Sequence, residues 1–314
     1  MGKYIHLFET EVELESAYFG KDYIEPWVSY TEENEEVKYN KQTNPYQRVP
    51  LTFVALGDGN FTWELDQSVS VLYSKNGGEW LTMNNETTIP VVSGDTIAFK
   101  GTNTSYDGMF FGQSAPAYNL YGNIMSITDG DSFLQASTLA RHAFQELFTY
   151  TRIVSAENLI LPVTTLADYC YAMMFQGCSA LTAAPELPAT VLADYCYNAM
   201  FNECKNLTTA PELPATVLAD GCYNLMFGYC HGLSTSPVLP ATTLTEECYA
   251  YMFGNCRNLT GITCLATDIS ATDCTTDWVS YVASSGTFTK AASMSDWETG
   301  ANGIPTNWTV QDAS

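Results

Sequence analysis

The 314-residue sequence is short of positive charge: 12 Lys and Arg stand against 35 Asp and Glu, a formal net charge of −23. That scarcity excludes nucleic-acid binding through the phosphate backbone, which needs clustered Lys and Arg. No stretch approaches the roughly 18 consecutive apolar residues of a membrane helix, so membrane insertion is not expected. The opening residues, MGKYIHLFETEVELESAY, alternate acids with apolar side chains and have neither a basic region nor an apolar run. No secretory leader is therefore expected.

Histidine is equally sparse, and His6, His142 and His231 fall in three separate contexts. The G-x-S-x-G and H-E-x-x-H patterns are missing, as is a glycine-rich loop ending in Lys-Ser/Thr. We expect no catalytic residue, no metal site and no cofactor, and so a chain that is not an enzyme. Carboxylates are abundant, and a glycosidase pair is defined only by its separation in space. Solvated surface is the simpler account of them.

Cysteine is absent before Cys170, and all ten cysteines lie between there and Cys274. The spacing shows why. In register, the chain from Leu161 reads LPVTTLADYCYAMMFQGCSALTAAPE, LPATVLADYCYNAMFNECKNLTTAPE, LPATVLADGCYNLMFGYCHGLSTSPV and LPATTLTEECYAYMFGNCRNLTGITC. Cys170, Cys196, Cys222 and Cys248 step by 26 residues, as do Cys178, Cys204, Cys230 and Cys256, and Pro162, Pro188, Pro214 and Pro240. Such a period means a stacked repeat. The prolines forbid helix and bias their neighbours to extended backbone, which predicts a short strand at Leu181-Thr182-Ala183-Ala184. Leu192, Cys196, Met200 and Cys204 recur every four residues, which predicts a helix from Thr190 to Phe201.

On such a helix Cys196 and Cys204 would lie about 12 Å apart, beyond the ~7 Å reach of a disulfide. With no C-x-x-C spacing for zinc either, the cysteines read as buried thiols in ladders. A degenerate first repeat is expected over residues 132–158, and a last helix carrying Trp278 and Tyr281 before a divergent cap.

Units of this form resemble the BspA-type leucine-rich repeats of gut Bacteroides and their phages. The resemblance covers roughly residues 130–314 and implies a solenoid with one short strand and one helix per repeat, used in adhesion or recognition.

Residues 48–127 change to period-two patterning. LTFVAL, GNFTWEL, SVSVLYSK, GEWLTM, TTIPVV and DTIAFKG are six strand candidates separated by Gly/Asn/Asp turns, which predicts an Ig-like antiparallel β-sandwich. Residues 1–45 suggest a strand at 3–8, a short helix at 10–18 and a hairpin in EPWVSYTEENEEVKYN. So small a piece needs a partner surface or its own copies. It resembles the attachment segment that opens virion appendage (head-fibre-like) proteins of Bacteroides phages, crAss-like ones included. The resemblance implies docking to a capsid or other structural protein, for which Trp27, Tyr30 and Tyr39 are the candidates.

The expected architecture is thus multidomain α+β. It has an α/β-hairpin module at 1–46, a sandwich at 47–128, a solenoid at 129–282 and a cap at 283–314. A homo-oligomer is expected, a trimer by analogy with fibres. The expected function is non-enzymatic display on a virion of a surface that recognises a host protein or glycan, the alternative being a bacterial cell-surface adhesin. The candidate ligand contacts are Tyr169, Tyr195, His231 and Arg257, at positions that vary between the clean repeats, and an aromatic row of Tyr169, Tyr195, Tyr229 and Tyr251. The tyrosines either stack on sugar rings or cover helix stems.

Overall fold

A computed structural model describes residues 4–7, 10–13, 44–65, 69–104, 106, 115–295 and 297–313. Among them the chain is mostly β, with one short α-helix, α1 (Ser126–Asp129). Strands β1 (Tyr4–Leu7) and β2 (Thr10–Glu13) pair antiparallel. The helix expected from residue 10 therefore begins as a strand instead, in keeping with the alternation Thr-Glu-Val-Glu. The remainder of that expected module lies outside the described residues.

All six strands expected between residues 51 and 101 are present. They are β3 (Thr52–Ala55), β4 (Gly59–Phe61), β5 (Val71–Lys75), β6 (Leu81–Met83), β7 (Ile89–Val91) and β8 (Thr96–Gly101). Alternation sets their faces: Ile97, Phe99 and Gly101 of β8 are buried while the residues between them are not.

Two further strands follow, β9 (Tyr118–Asn123) and β10 (Ile153–Ile160), and they change the architecture. The main sheet runs β10-β9-β3-β8-β5-β6, antiparallel except that β10 lies parallel to β9. Against it sits a two-stranded sheet of β4 and β7. Phe61 of β4 meets Phe53 and Phe99 of the main sheet, each at 5.3 Å between ring centres. The expected antiparallel sandwich is corrected accordingly, because its larger sheet is mixed and runs across residue 128 into the repeats.

Among the described residues the repeats themselves contain no α-helix from residue 136 onward, and Gly130–Gln135 is a short 3-10 helix. Six ten-residue turn segments, 141–150, 168–177, 194–203, 220–229, 246–255 and 272–281, occupy the predicted helical positions. Their hydrogen bonding explains why. In the third, the N–H groups of Tyr195, Tyr197, Ala199, Phe201 and Glu203 donate to Asp220, Cys222, Asn224, Met226 and Gly228 of the next coil. The intervening N–H groups of Cys196, Asn198, Met200, Asn202 and Cys204 donate three residues back. Half of the amides therefore leave the segment, whereas an α-helix keeps them within it. This finding overturns the leucine-rich-repeat solenoid expected above, including its last helix around Trp278. What replaces it is a pile of turn-built coils bonded directly backbone to backbone.

Side chains enter the core two in, two out: Cys196 and Tyr197, then Met200 and Phe201, then Cys204 are buried. Stacking identical coils aligns these rings. One column runs through the buried Phe144, Tyr171, Tyr197, Tyr223, Tyr249 and Trp278 to the half-buried Trp297, with centres 5.5–6.2 Å apart. A second runs Phe148, Phe175, Phe201, Phe227 and Phe253 at 5.3–5.8 Å. Phe148 also meets Phe53 at 6.0 Å, so the coil core and the sheet core are one.

The cysteines are buried free thiols. Those of Cys178, Cys204, Cys230 and Cys256 donate to the carbonyls of Phe148, Phe175, Phe201 and Phe227 at 3.0–3.1 Å, each into the preceding coil. Burial pushes the Cys196 and Cys256 thiols up to about 12, which leaves them protonated and inert at neutral pH.

The opposite side of the coils is less uniform. β11 (Thr235–Leu239), β12 (Gly261–Cys264), β13 (Thr287–Lys290) and β14 (Thr309–Asp312) make a parallel sheet along the last four coils. In the two coils before it no strand forms, and no backbone hydrogen bond links residues 184–189 or 208–218 to a neighbouring coil. Pro185, Pro188, Pro211 and Pro214 deprive these stretches of donors. The expected strand at Leu181-Thr182-Ala183-Ala184 is reduced to a single bridge between Ser155 and Ala183.

Candidate binding face

Each turn segment has a positive φ at its second, sixth and tenth residue, eighteen positions in all, and stacking arranges them in three columns. The first is His142, Tyr169, Tyr195, Gly221, Glu247 and Asp273. The second is Glu146, Met173, Ala199, Leu225, Tyr251 and Asp277. The third is Tyr150, Gly177, Glu203, Tyr229, Asn255 and Tyr281. A left-handed backbone costs an L-residue on the order of 1–2 kcal/mol, a cost that glycine escapes. Yet only two of the eighteen positions are glycine and six are tyrosine, so these tyrosines need an account.

Three have one inside the chain. Tyr169 stacks on Tyr195 at 5.1 Å and 8° and on His142 at 5.0 Å and 15°. The Arg141 guanidinium lies 5.6 Å from the centre of the Tyr169 ring. Tyr195 continues over Gly221, where an added Cβ would fall 2.3 Å from the ring. Its hydroxyl donates to Glu247 Oε2 at 2.9 Å, two coils on. That hydrogen bond to a carboxylate, more than burial, pushes the Tyr195 phenol up to about 12. Tyr150 lies in the same way over Gly177, whose Cβ would be 2.2 Å from it. Of the candidates read from the sequence, Tyr169 and Tyr195 are therefore occupied within the stack.

Tyr229, Tyr251 and Tyr281 differ. No ring contact or side-chain hydrogen bond involves them among the described residues, and they are 43%, 44% and 76% exposed, against 65% for Tyr150 over its glycine. Their columns place Tyr229 and Tyr281 two coils apart with Asn255 between them, and Tyr251 beside Leu225 and Asp277. His231 and Arg257 follow Tyr229 and Asn255 by two residues and flank the same patch. His231 is half-buried and Arg257 exposed.

The structure thus leaves Tyr229, Tyr251 and Arg257 exposed on the turn segments and the loops after them, with His231 half-buried, and holds Tyr169 and Tyr195 in the internal stack. Tyr281 was missed because it was assigned to a terminal helix. Its step of 52 residues from Tyr229, twice the repeat, was the signal that could have found it. Trp27, Tyr30 and Tyr39 lie outside the described residues.

The patch offers phenol rings, an amide at Asn255, a carboxylate at Asp277 and a guanidinium at Arg257. The Asp277 carboxylate accepts from Ser280 Oγ at 2.7 Å, which orients it. Such a set suits binding through ring faces and hydrogen bonds. A second concavity, a groove of about 710 Å3 on the proline side, is lined by Glu157, Pro185, Glu186, Pro188, Glu212 and Pro214. It arises where the coils lack mutual hydrogen bonds, and it carries no aromatic side chain. Comparison with models of known protein families, with curated proteins and with solved structures finds no match to this chain.

Proposed function

We propose that this chain is a non-enzymatic structural and adhesion protein of a phage particle. Residues 1–46 hold it to the capsid or another virion protein, and the coil stack presents its turn face to the host surface. The observation that carries the recognition role is the exposed patch of Tyr229, Tyr251 and Tyr281 on a backbone fixed by coil-to-coil hydrogen bonds. Side chains held that way lose little entropy on binding, and exposed aromatics supply large contact area. Attachment through the N-terminal segment is supported by its resemblance to phage appendage proteins, and self-association by its small size.

Two arms test the proposal together. Antibody raised against residues 141–281 should label virions grown on a gut Bacteroides host, and the purified chain should bind such cells and slow virion adsorption. Unlabelled particles together with cells that ignore the chain would refute it.

A further inference from the structure

We infer that Tyr229, Tyr251 and Tyr281, with Asn255 and Asp277, form a site for a neutral, extended polysaccharide lying along the stack axis. The inference rests on the recognition role proposed above and gives it a ligand class. Its first support is exposed phenol rings without a ring partner or side-chain hydrogen bond among the described residues. All three tyrosines have φ between 57° and 60°, where glycine or asparagine is at home, and none is covered by another ring. Tyr150, Tyr169 and Tyr195 share that conformation but are engaged with neighbouring coils. The left-handed backbone itself belongs to the coil, which adopts it at every second, sixth and tenth turn position, so what sets these three tyrosines apart is exposure without a ring partner.

The second support is periodicity. Coils bonded backbone to backbone repeat about every 4.8 Å, close to the rise of one pyranose unit in an extended chain. Tyr229 and Tyr281, two coils apart, therefore match the two ends of a disaccharide, with Asn255 placed to bond the hydroxyls between them. A third support is charge. The chain carries −23 overall, and in and beside the patch Asp277 and Glu247 outnumber the one guanidinium, Arg257, which disfavours acidic polysaccharides and suits a neutral one.

Native gels cast with soluble xylan, galactomannan, hydroxyethyl cellulose or dextran test this with the full chain. At least one of the extended polymers should retard the protein, and the flexible dextran should not. The Tyr229→Ala/Tyr281→Ala double variant should weaken that retardation by at least roughly tenfold, while Tyr229→Phe/Tyr281→Phe, which keeps both rings, stays within roughly threefold. Tyr150→Ala should leave it unchanged, and unfolding temperatures of all variants confirm folding.

Retardation by none of the polymers, or retardation indifferent to the tyrosines, overturns the inference. Cell binding separates this from failure of the recognition role. A chain that still binds cells after periodate oxidation of their glycans, but not after protease, keeps that role and loses the polysaccharide. A chain that binds neither cells nor polymer loses both.

Discussion

Tyr169 and Tyr195 share a left-handed backbone with Tyr229, Tyr251 and Tyr281, but the first pair is stacked and the second group is bare. The same conformation is accompanied by ring stacking in the early coils and by no ring contact or side-chain hydrogen bond at the later tyrosines among the described residues. The early coils therefore spend their outward tyrosines on holding the stack together. The later coils have Trp278 and Trp297 closing the buried column and the sheet from β11 to β14 on the far side, so their outward tyrosines are free for a ligand.

The largest expected effect separates inward from outward rings. Tyr197 is buried between Tyr171 and Tyr223, and Tyr197→Ala should cost about 3–5 kcal/mol in chemical denaturation. Tyr251→Ala should change stability by no more than about 0.5 kcal/mol. Equal losses would erase the distinction. Next comes the contact between Tyr195 and Gly221. Gly221→Ala sets a Cβ against that ring at a φ of +59°, and should destabilise by roughly 1–3 kcal/mol. The double variant that adds Tyr195→Ala should recover part of the loss, because the clash is with that ring.

A smaller effect appears in alkali. Tyr195 holds its proton more tightly folded than unfolded, its phenol being raised from 10.0 to about 12 chiefly by the bond to Glu247. Its contribution is complete below pH 10 and is lost as pH climbs from 10 towards 12. Burial raises Tyr171, Tyr197, Tyr223 and Tyr249 as well, so alkaline unfolding as a whole reflects the interior column. Unfolding of Tyr195→Phe across this range should show a shallower decline than the parent, and an identical slope would dismiss the Tyr195–Glu247 bond as a stabilising contact.

Much of this fold was legible, and the part that was not has a definite cause. The β strands declared themselves through alternation between Gly and Asn turns. The 26-residue step declared the stack, and the cysteine spacing declared buried thiols. The turn segments misled because a recurrence of exactly four residues was taken for a helical face. At 3.6 residues per turn that recurrence drifts about 40° per step, so Leu192 and Cys204 would stand about 120° apart on a helix. A strict period of four fits a four-residue turn, repeated with two side chains in and two out. The usual turn markers were missing, since tyrosine, glutamate and leucine occupy positions where glycine is expected.

The binding face was half visible for the same reason. Tyr229 and Tyr251 stand out in an aromatic row with Tyr169 and Tyr195, but only the stacked coils show that Tyr281 joins them and that Tyr169 and Tyr195 do not.

The most direct test of the claim that these exposed tyrosines serve a ligand and not the fold is the thermal unfolding of the Tyr229→Asn/Tyr281→Asn variant beside its polysaccharide binding. Asparagine accepts the left-handed backbone more readily, so unfolding should shift upward by an amount equivalent to about 1 kcal/mol or less while binding is lost. A lower unfolding temperature with binding intact would contradict the account.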